Sequence, residues 1–357
     1  MAILTGGGDA PGLNAVLRAF VRTCAGLGIE VWGSEDGFEG LIQPHRLVRL
    51  DRKAVRGILP KGGSILGCSN RANPWAYPVK DARGRERYVD VSATVLKRLR
   101  DHDIDAVVLV GGDGTMHHAL SLAKRGVSVI GVPKTIDNDL AATDVTFGFD
   151  TALNTATWAI DALHATAESH DRVMIVELMG REAGWIALCA GIAGGADVIL
   201  IPEIPYDIRR VIRKIHNRAT LGASFSIIVI GEGARPRHGR PSTIARARKG
   251  HLARLGGAGA ALAHELQGHI GHEIRVTVLG HIQRGGSPSA FDRVLGTRFG
   301  VEAARMCARG DKGRMVALRG AELITVPLAR AIGAAKLVRP KSELVDAARR
   351  IGIELGA

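Results

Sequence analysis

The chain has 357 residues, 46% of them apolar and 23% charged, with 46 glycines but only 4% aromatics. That length allows two domains and that balance supports a buried core, which excludes a disordered chain; the glycines follow no G-X-Y period, which excludes collagen. Lysine and arginine outnumber the acids 48 to 35, a formal charge of +13, as suits polyanionic phosphate substrates. The basic residues are spread along the chain. Their densest cluster (Arg235, Arg237, Arg240, Arg246, Arg248, Lys249 and Arg254) lies in a Gly/Pro/Ser-bearing segment that reads as a solvated loop. With so few aromatics to stack on bases, nucleic acid is the less favoured partner. The longest uncharged stretch, Ala183–Ala196, falls short of the ~20 residues a membrane span needs. Because the N-terminus lacks a basic region followed by an apolar one, no signal peptide is expected. Cys24, Cys68, Cys189 and Cys307 lie far apart with no CxxC, as in a cytoplasmic protein with reduced thiols.

Along the chain, short apolar runs ending in glycine loops alternate with helical patterns. Ala2–Leu4 predicts a strand leading into Gly6-Gly7-Gly8-Asp9-Ala10-Pro11-Gly12, and Leu13–Cys24 has helical spacing. Ala106–Val110 predicts a strand ending at Gly111-Gly112-Asp113-Gly114-Thr115, followed by a helix over Met116–Lys124. Val127–Val132 leads into Pro133-Lys134-Thr135-Ile136-Asp137-Asn138-Asp139. After a helical Thr151–Glu168 the pattern repeats: strand Arg172–Leu178, helix Gly184–Ala193, strands Val198–Ile201 and Phe225–Ile230, then strand Arg275–Leu279 running into Gly280-His281-Ile282-Gln283-Arg284-Gly285-Gly286. This alternation predicts an α/β fold of two doubly wound, Rossmann-like parallel-sheet lobes, with a crossing near Phe147–Asp150. In such sheets ligands sit beyond the carboxyl ends of the strands, which is where every polar glycine cluster falls.

The loop at Gly6–Gly12 offers backbone N–H groups and a helix N-terminus, a setting for phosphate, although a tight strand-to-helix turn would look the same. In Gly111–Thr115 a single carboxylate, Asp113, stands among residues with almost no side chain. It could hold Mg²⁺ bridging phosphate oxygens, or merely cap the following helix. Asp137 and Asp139 stand at i and i+2, on one side of an extended stretch, so one could take a proton from an attacking hydroxyl while the other tunes it or meets the metal. Lys134 would face the phosphates. An Asx-rich turn is the alternative. Met179-Gly180-Arg181, Glu232, and Arg275 with His281 and Arg284 add phosphate-fork and hydroxyl-binding chemistry.

Together these strings resemble the 6-phosphofructokinase family, over about Ile3 to Leu318: LTGGGDAPGLNA, GGDGT, PKTIDND, SHDRVMIVELMGREAGW and GHIQRGGSPSAFDR, in the family's order. The resemblance implies a nucleotide lobe over 1–148 completed by 285–357, a sugar-phosphate lobe over 149–284, and an active site in the cleft between them. It implies Mg²⁺-dependent transfer of the ATP γ-phosphoryl group to the 1-hydroxyl of fructose 6-phosphate in glycolysis. By matching motif, Asp137 would be the general base and Asp139 its neighbour near the metal. Thr135 would touch the transferred group, Arg181 would stabilise its charge, and Asp113 would hold Mg²⁺. Gly8, Arg71 and the Gly112, Asp113, Gly114, Thr115 loop would bind the donor. Met179, Gly180, Glu232, His281 and Arg284 would hold the sugar phosphate, with Arg172 and Arg275 reaching in from a neighbouring subunit of a homo-oligomer, dimer or tetramer.

The resemblance leaves the donor to be argued. Pyrophosphate-using relatives carry an acidic residue at the position of Gly114 and a lysine at that of Lys134, whereas ATP-using bacterial enzymes have glycine at both. Gly114 leaves room for a nucleotide α-phosphate, so ATP is the expected donor. A pyrophosphate-dependent or sedoheptulose 7-phosphate kinase, or a non-catalytic phosphate-sensing subunit, are the alternatives. Glu182 stands where relatives often have histidine, placing a negative charge beside Arg181.

Overall fold

Burial on both faces explains why the predicted strands are unbroken apolar runs rather than alternating ones. A computed structural model describes residues 1–69, 71–245 and 254–357, so Arg246, Arg248 and Lys249 of the basic cluster lie outside the described residues. The chain begins with β1 (Ala2–Thr5), α1 (Leu13–Gly26), β2 (Val31–Ser34), the short α2 (Glu39–Ile42) and β3 (Leu47–Leu50). A hairpin of β4 (Tyr77–Lys80) and β5 (Glu86–Val89) precedes α3 (Ser92–Asp101), β6 (Ala106–Gly111), α4 (Asp113–Ala123) and β7 (Ser128–Pro133). Then come α5 (Phe149–Ser169), β8 (Val173–Leu178), α6 (Trp185–Ala193), β9 (Val198–Leu200), α7 (Ile208–Thr220) and β10 (Ser226–Gly231). They are followed by β11 (Thr243–Ala245), β12 (Arg254–Leu255), α8 (Ala258–Leu266) and β13 (Ile274–Val278). Last are α9 (Ala290–Ala308), β14 (Arg314–Arg319), β15 (Glu322–Pro327), α10 (Leu328–Ala331) and α11 (Glu343–Arg350). Each predicted element is present close to its expected bounds.

The first sheet has the order β15-β14-β7-β6-β1-β2-β3, and the second β13-β8-β10-β9. All pairings in the second are parallel. The first is parallel at its centre but antiparallel at both edges, where β3 pairs with β2 and β15 with β14. A tight return between β14 and β15, and a longer one through α2 between β2 and β3, therefore replace the all-parallel arrangement expected from the βα alternation.

The strands of the first sheet feed two cores by their period of two. Ile3, Val108, Val110, Ile130 and Val132 face α1 and α9, while Leu4, Val107, Leu109 and Val129 face α3 and α4. In the second sheet Val173, Ile175, Ile228 and Ile230 pack against Val211 and Ile215 of α7 and Leu262 and Leu266 of α8. Helices α1 and α9 approach closely through glycine: a Cβ on Gly300 would lie 2.5 Å from the Val16 carbonyl oxygen and 2.9 Å from Ala19 Cβ. Gly300→Val should therefore force the helices apart and cost about 2 kcal/mol by overpacking. A thermal midpoint equal to wild type would refute that account.

The chain divides into two compact units: Met1–Ile136, Leu140–Thr151 and Arg284–Ala334 form the first, and Asp137–Asp139, Ala152–Gln283 and Ala335–Ala357 the second. The sequence expectation assigned all of 285–357 to the first lobe and Arg284 to the second; both assignments change. The last residues join the second sheet because Ile199 N–H donates to the Glu354 carbonyl at 2.9 Å and Glu354 N–H to that of Asp197 at 3.0 Å. Asp292, fully buried, accepts from Gly148 N–H at 2.8 Å and from Thr151 N–H at 2.8 Å, supplying the N-terminus of α5 with the acceptor it otherwise lacks. Burial raises its pKa against the pull of those donors.

Candidate active site

In the first unit β1 and β6 lie side by side, and the chain leaves them in opposite directions, to β2 on one side and β7 on the other. The crevice at their carboxyl ends is the topological switch point, where ligands bind in such sheets. Gly6 N–H donates to the Val110 carbonyl at 2.9 Å and Gly7 N–H to that of Ser69 at 3.3 Å, so the first two glycines spend their donors inside the fold. Thr115 explains why Gly6 and Gly111 have no side chain. It is buried, a Cβ on Gly6 would lie 2.7 Å from its Oγ1, and one on Gly111 would collide with it. Of the residues expected to bind the donor, Thr115 thus uses its side chain to pack two strand ends.

Asp113 opens α4 with an exposed carboxylate, 3.3 Å from His117 Nδ1. Beside it, Gly114 has nothing within 4 Å of a would-be Cβ, and Gly112 sits 3.4 Å by the same measure from the Lys134 carbonyl. The N–H groups of this first turn have no intrahelical acceptor and suit an anion. Lys134, buried, donates from Nζ to the Gly8 carbonyl, and its own N–H goes to Gly111 O at 3.0 Å. Thr135 is half-buried, its carbonyl accepting from Thr146 Oγ1 at 2.7 Å. Arg71 is exposed; its N–H meets Ser69 Oγ at 3.1 Å, on the loop whose Ser69 carbonyl receives Gly7. Arg284 Nη1 donates to the Asp9 carbonyl at 3.2 Å and lies against Gly8 so closely that any Cβ there would collide. Gly8, Arg71, Gly112–Thr115, Lys134 and Arg284 are therefore gathered at the carboxyl ends of β1, β6 and β7. Arg284, assigned from sequence to the sugar phosphate, lies in this unit against the glycine loop.

The second unit collects its residues in the same way. Met179, Gly180 and Arg181 follow β8, Glu232 follows β10 and His281 follows β13. Glu232 N–H donates to Leu178 O at 2.8 Å, and Gly233 sits so close to the Arg181 carbonyl that a Cβ would collide. Gly180 has φ 134° with the Ala183 carbonyl 2.7 Å from a would-be Cβ, so only glycine fits there. Arg181 is half-buried, its Nε 4.0 Å from Glu182, the pairing the sequence suggested. Sequence reasoning passed over Gln283. Fully buried, it accepts from Met179 N–H at 3.3 Å, and its Nε2 has no hydrogen-bond partner among the described residues. The only signal was its place inside the GHIQRGG string.

One expectation changes here. Asp137 and Asp139, both half-buried, do not share one side of an extended stretch: Ile136 and Asp137 lie in a bend and the buried Asn138 is left-handed, φ 52°. The compact turn replaces strand geometry, so the period-two argument does not apply to it. Arg172 and Arg275 lie near the amino ends of β8 and β13, roughly 20 Å of strand from Met179. Both are paired there with Glu273, Arg172 Nε at 2.6 Å. Among the described residues no group of three or more His, Cys, Asp or Glu could hold a metal by itself. A lone hard carboxylate such as Asp113 nevertheless fits Mg²⁺, which keeps its waters and takes its remaining ligands from substrate phosphates.

Known proteins share this sequence and this fold. A family model described as phosphofructokinase matches residues 1–307. A protein of Chloroflexus aggregans named ATP-dependent 6-phosphofructokinase is 52% identical over 356 residues, covering 100% of this chain and 97% of the relative. One of Clostridium perfringens, named ATP-dependent 6-phosphofructokinase 2, is 51% identical over 99% of this chain and 97% of its own. The crystal structure of Pichia pastoris phosphofructokinase in the T-state superposes with a TM-score of 0.79 at 29% identity over 98% of this chain, which spans 36% of that longer chain. A pyrophosphate-dependent phosphofructokinase of Marinobacter aquaeolei has the same TM-score at 22% identity, covering 100% of this chain and 92% of its own, and so shares the fold. No helix among the described residues is long and apolar enough to cross a membrane. The chain belongs to the phosphofructokinase family.

Proposed function

We propose that this chain is an ATP-dependent 6-phosphofructokinase, moving the γ-phosphoryl group of ATP to the 1-hydroxyl of fructose 6-phosphate to give fructose 1,6-bisphosphate. The observation that carries this reading is full-length identity of about half to relatives of that name, with the motif residues in place at the strand ends. Asp137 takes the proton of the 1-hydroxyl as that oxygen bonds to phosphorus and the bond to ADP breaks. Arg181 meets the charge developing on the transferred group and Thr135 its oxygens, while Asp139 stands beside the base. In such transfers positioning and charge neutralisation supply most of the rate. Gly8, Arg71, the Gly112–Thr115 turn and Lys134 cradle the donor. Asp113 would hold a Mg²⁺ that, when bound, offsets donor phosphate charge. Met179, Gly180, Glu232, His281 and Arg284 hold the sugar phosphate.

Arg172 and Arg275, at the far strand ends, serve a second copy of the chain, so the working form is a homo-oligomer. Four free thiols suit a cytoplasmic enzyme, and burial pushes all of them up, Cys24 and Cys189 to about 11 and Cys307 to about 12. The pyrophosphate reading keeps one argument, the buried Lys134. Assaying fructose 6-phosphate with ATP and with pyrophosphate side by side separates the two. The expected result is activity with ATP, lost on chelation with EDTA and restored by Mg²⁺. Activity with pyrophosphate alone would overturn the donor assignment, and activity with neither would overturn the reaction.

A further inference from the structure

The segment after α10 matches nothing in the motif reading, yet it is tied to the acidic loop. We infer that Lys336 is a positioning residue that sets the direction of Asp137 and Asp139. Asn138 between them is 6% exposed and left-handed, a backbone conformation uncommon outside glycine that asparagine tolerates better than most residues. Lys336 holds this turn from both sides. Its Nζ donates to Asn138 Oδ1 at 2.9 Å, and its backbone N–H donates to the Asp139 carbonyl at 2.7 Å.

Lys336 is itself held. Trp185 Nε1 donates to its carbonyl at 2.6 Å, and two residues on, Val338 N–H donates to Glu203 Oε1 at 2.8 Å. Glu203 also accepts from Gly184 N–H, at 2.9 and 3.1 Å. Gly184 must be glycine for this contact, since a Cβ would lie 2.5 Å from Ile201 Cβ and 2.8 Å from Glu203 Oε2. Val338, 1% exposed, fastens the strap to the core. The tail thus links the turn carrying Asp137 and Asp139 to the start of α6, four residues after Arg181, all within the second unit. Lys336 acts through Asn138 and the Asp139 carbonyl. The inference rests on the reading of Asp137 as the base.

Lys336→Met keeps the aliphatic stem and removes the donor. The expected result is a fall in kcat of ~10–100-fold, the scale of a small misplacement of a catalytic group, with KM for both substrates and the thermal midpoint unchanged. Lys336→Arg, which can still donate, should recover most of the loss. Asn138→Gly keeps the left-handed backbone without the acceptor, and should lose kcat alike even if the Met variant fails to fold. The double variant should be no worse than the worse single one, because both remove one interaction. Normal kcat in Lys336→Met or Asn138→Gly beside an inactive Asp137→Ser would overturn the strap and leave the base intact. Losses confined to KM or to thermal stability would also overturn it. An active Asp137→Ser would overturn the base assignment itself.

Discussion

Asp137→Ser should lower kcat by ~10²–10⁴-fold while leaving KM for fructose 6-phosphate and ATP close to wild type. That range corresponds to about 3–5 kcal/mol of transition-state stabilisation. Serine is smaller than aspartate, so it does not obstruct the acceptor, but it cannot take a proton at neutral pH. The change therefore isolates proton transfer from binding. Because Asn138, the next residue, is held by Lys336 through its own side chain, the turn should persist in the variant, and an unchanged thermal midpoint would verify that. Steady-state kinetics with both substrates decides the matter. Near-normal turnover in a folded variant would remove Asp137 from the base role.

Gly114→Asp should cost at least ~10² in kcat/KM for ATP. The physical basis is charge: a second carboxylate near a phosphate oxygen at about 4 Å repels it by about 4 kcal/mol at an effective dielectric near 20. The fold should tolerate the substitution. Gly114 is the second residue of α4, its φ is not among the left-handed ones, and open space surrounds the new Cβ. An acidic side chain in the first turn of a helix is moreover favoured by the macrodipole. Pyrophosphate, with no α-phosphate to place there, should be used no worse than before. If ATP kinetics survive the change intact, the steric and electrostatic account of donor choice is wrong.

Much of the site was legible because glycine loops interrupt the apolar runs at the carboxyl ends of the strands. GGDGT and PKTIDND needed only to be recognised as standing after β6 and β7 to be placed beside the loop after β1, since parallel neighbours bring their carboxyl ends together. The same logic placed Met179–Arg181, Glu232 and His281. It put Arg284 in the second lobe, whereas Arg284 closes on Gly8 in the first unit, because a residue inside one motif string can fall on either side of a division. It also misjudged Asp137 and Asp139, because the left-handed Asn138 between them ends the extended geometry, and its side chain accepts from a residue 198 positions away.

Sequence alone determined the local elements, since burial on both faces writes unbroken runs of Val, Ile and Leu into parallel strands and helical spacing into their connections. It also determined the chemistry at hand, since carboxylates, a lysine and arginines among glycines leave few reactions to consider. Tertiary structure decided what those residues do for one another. Thr115 packs against Gly6 and Gly111, and Asp292 caps a helix whose start is far away in sequence. The antiparallel edges β3 and β15 and the joining of residues 335–357 to the second unit depend likewise on contacts between distant segments. A one-dimensional pattern records which faces are buried, but not which distant donor finds which acceptor, and that pairing sets the shape of the acidic turn.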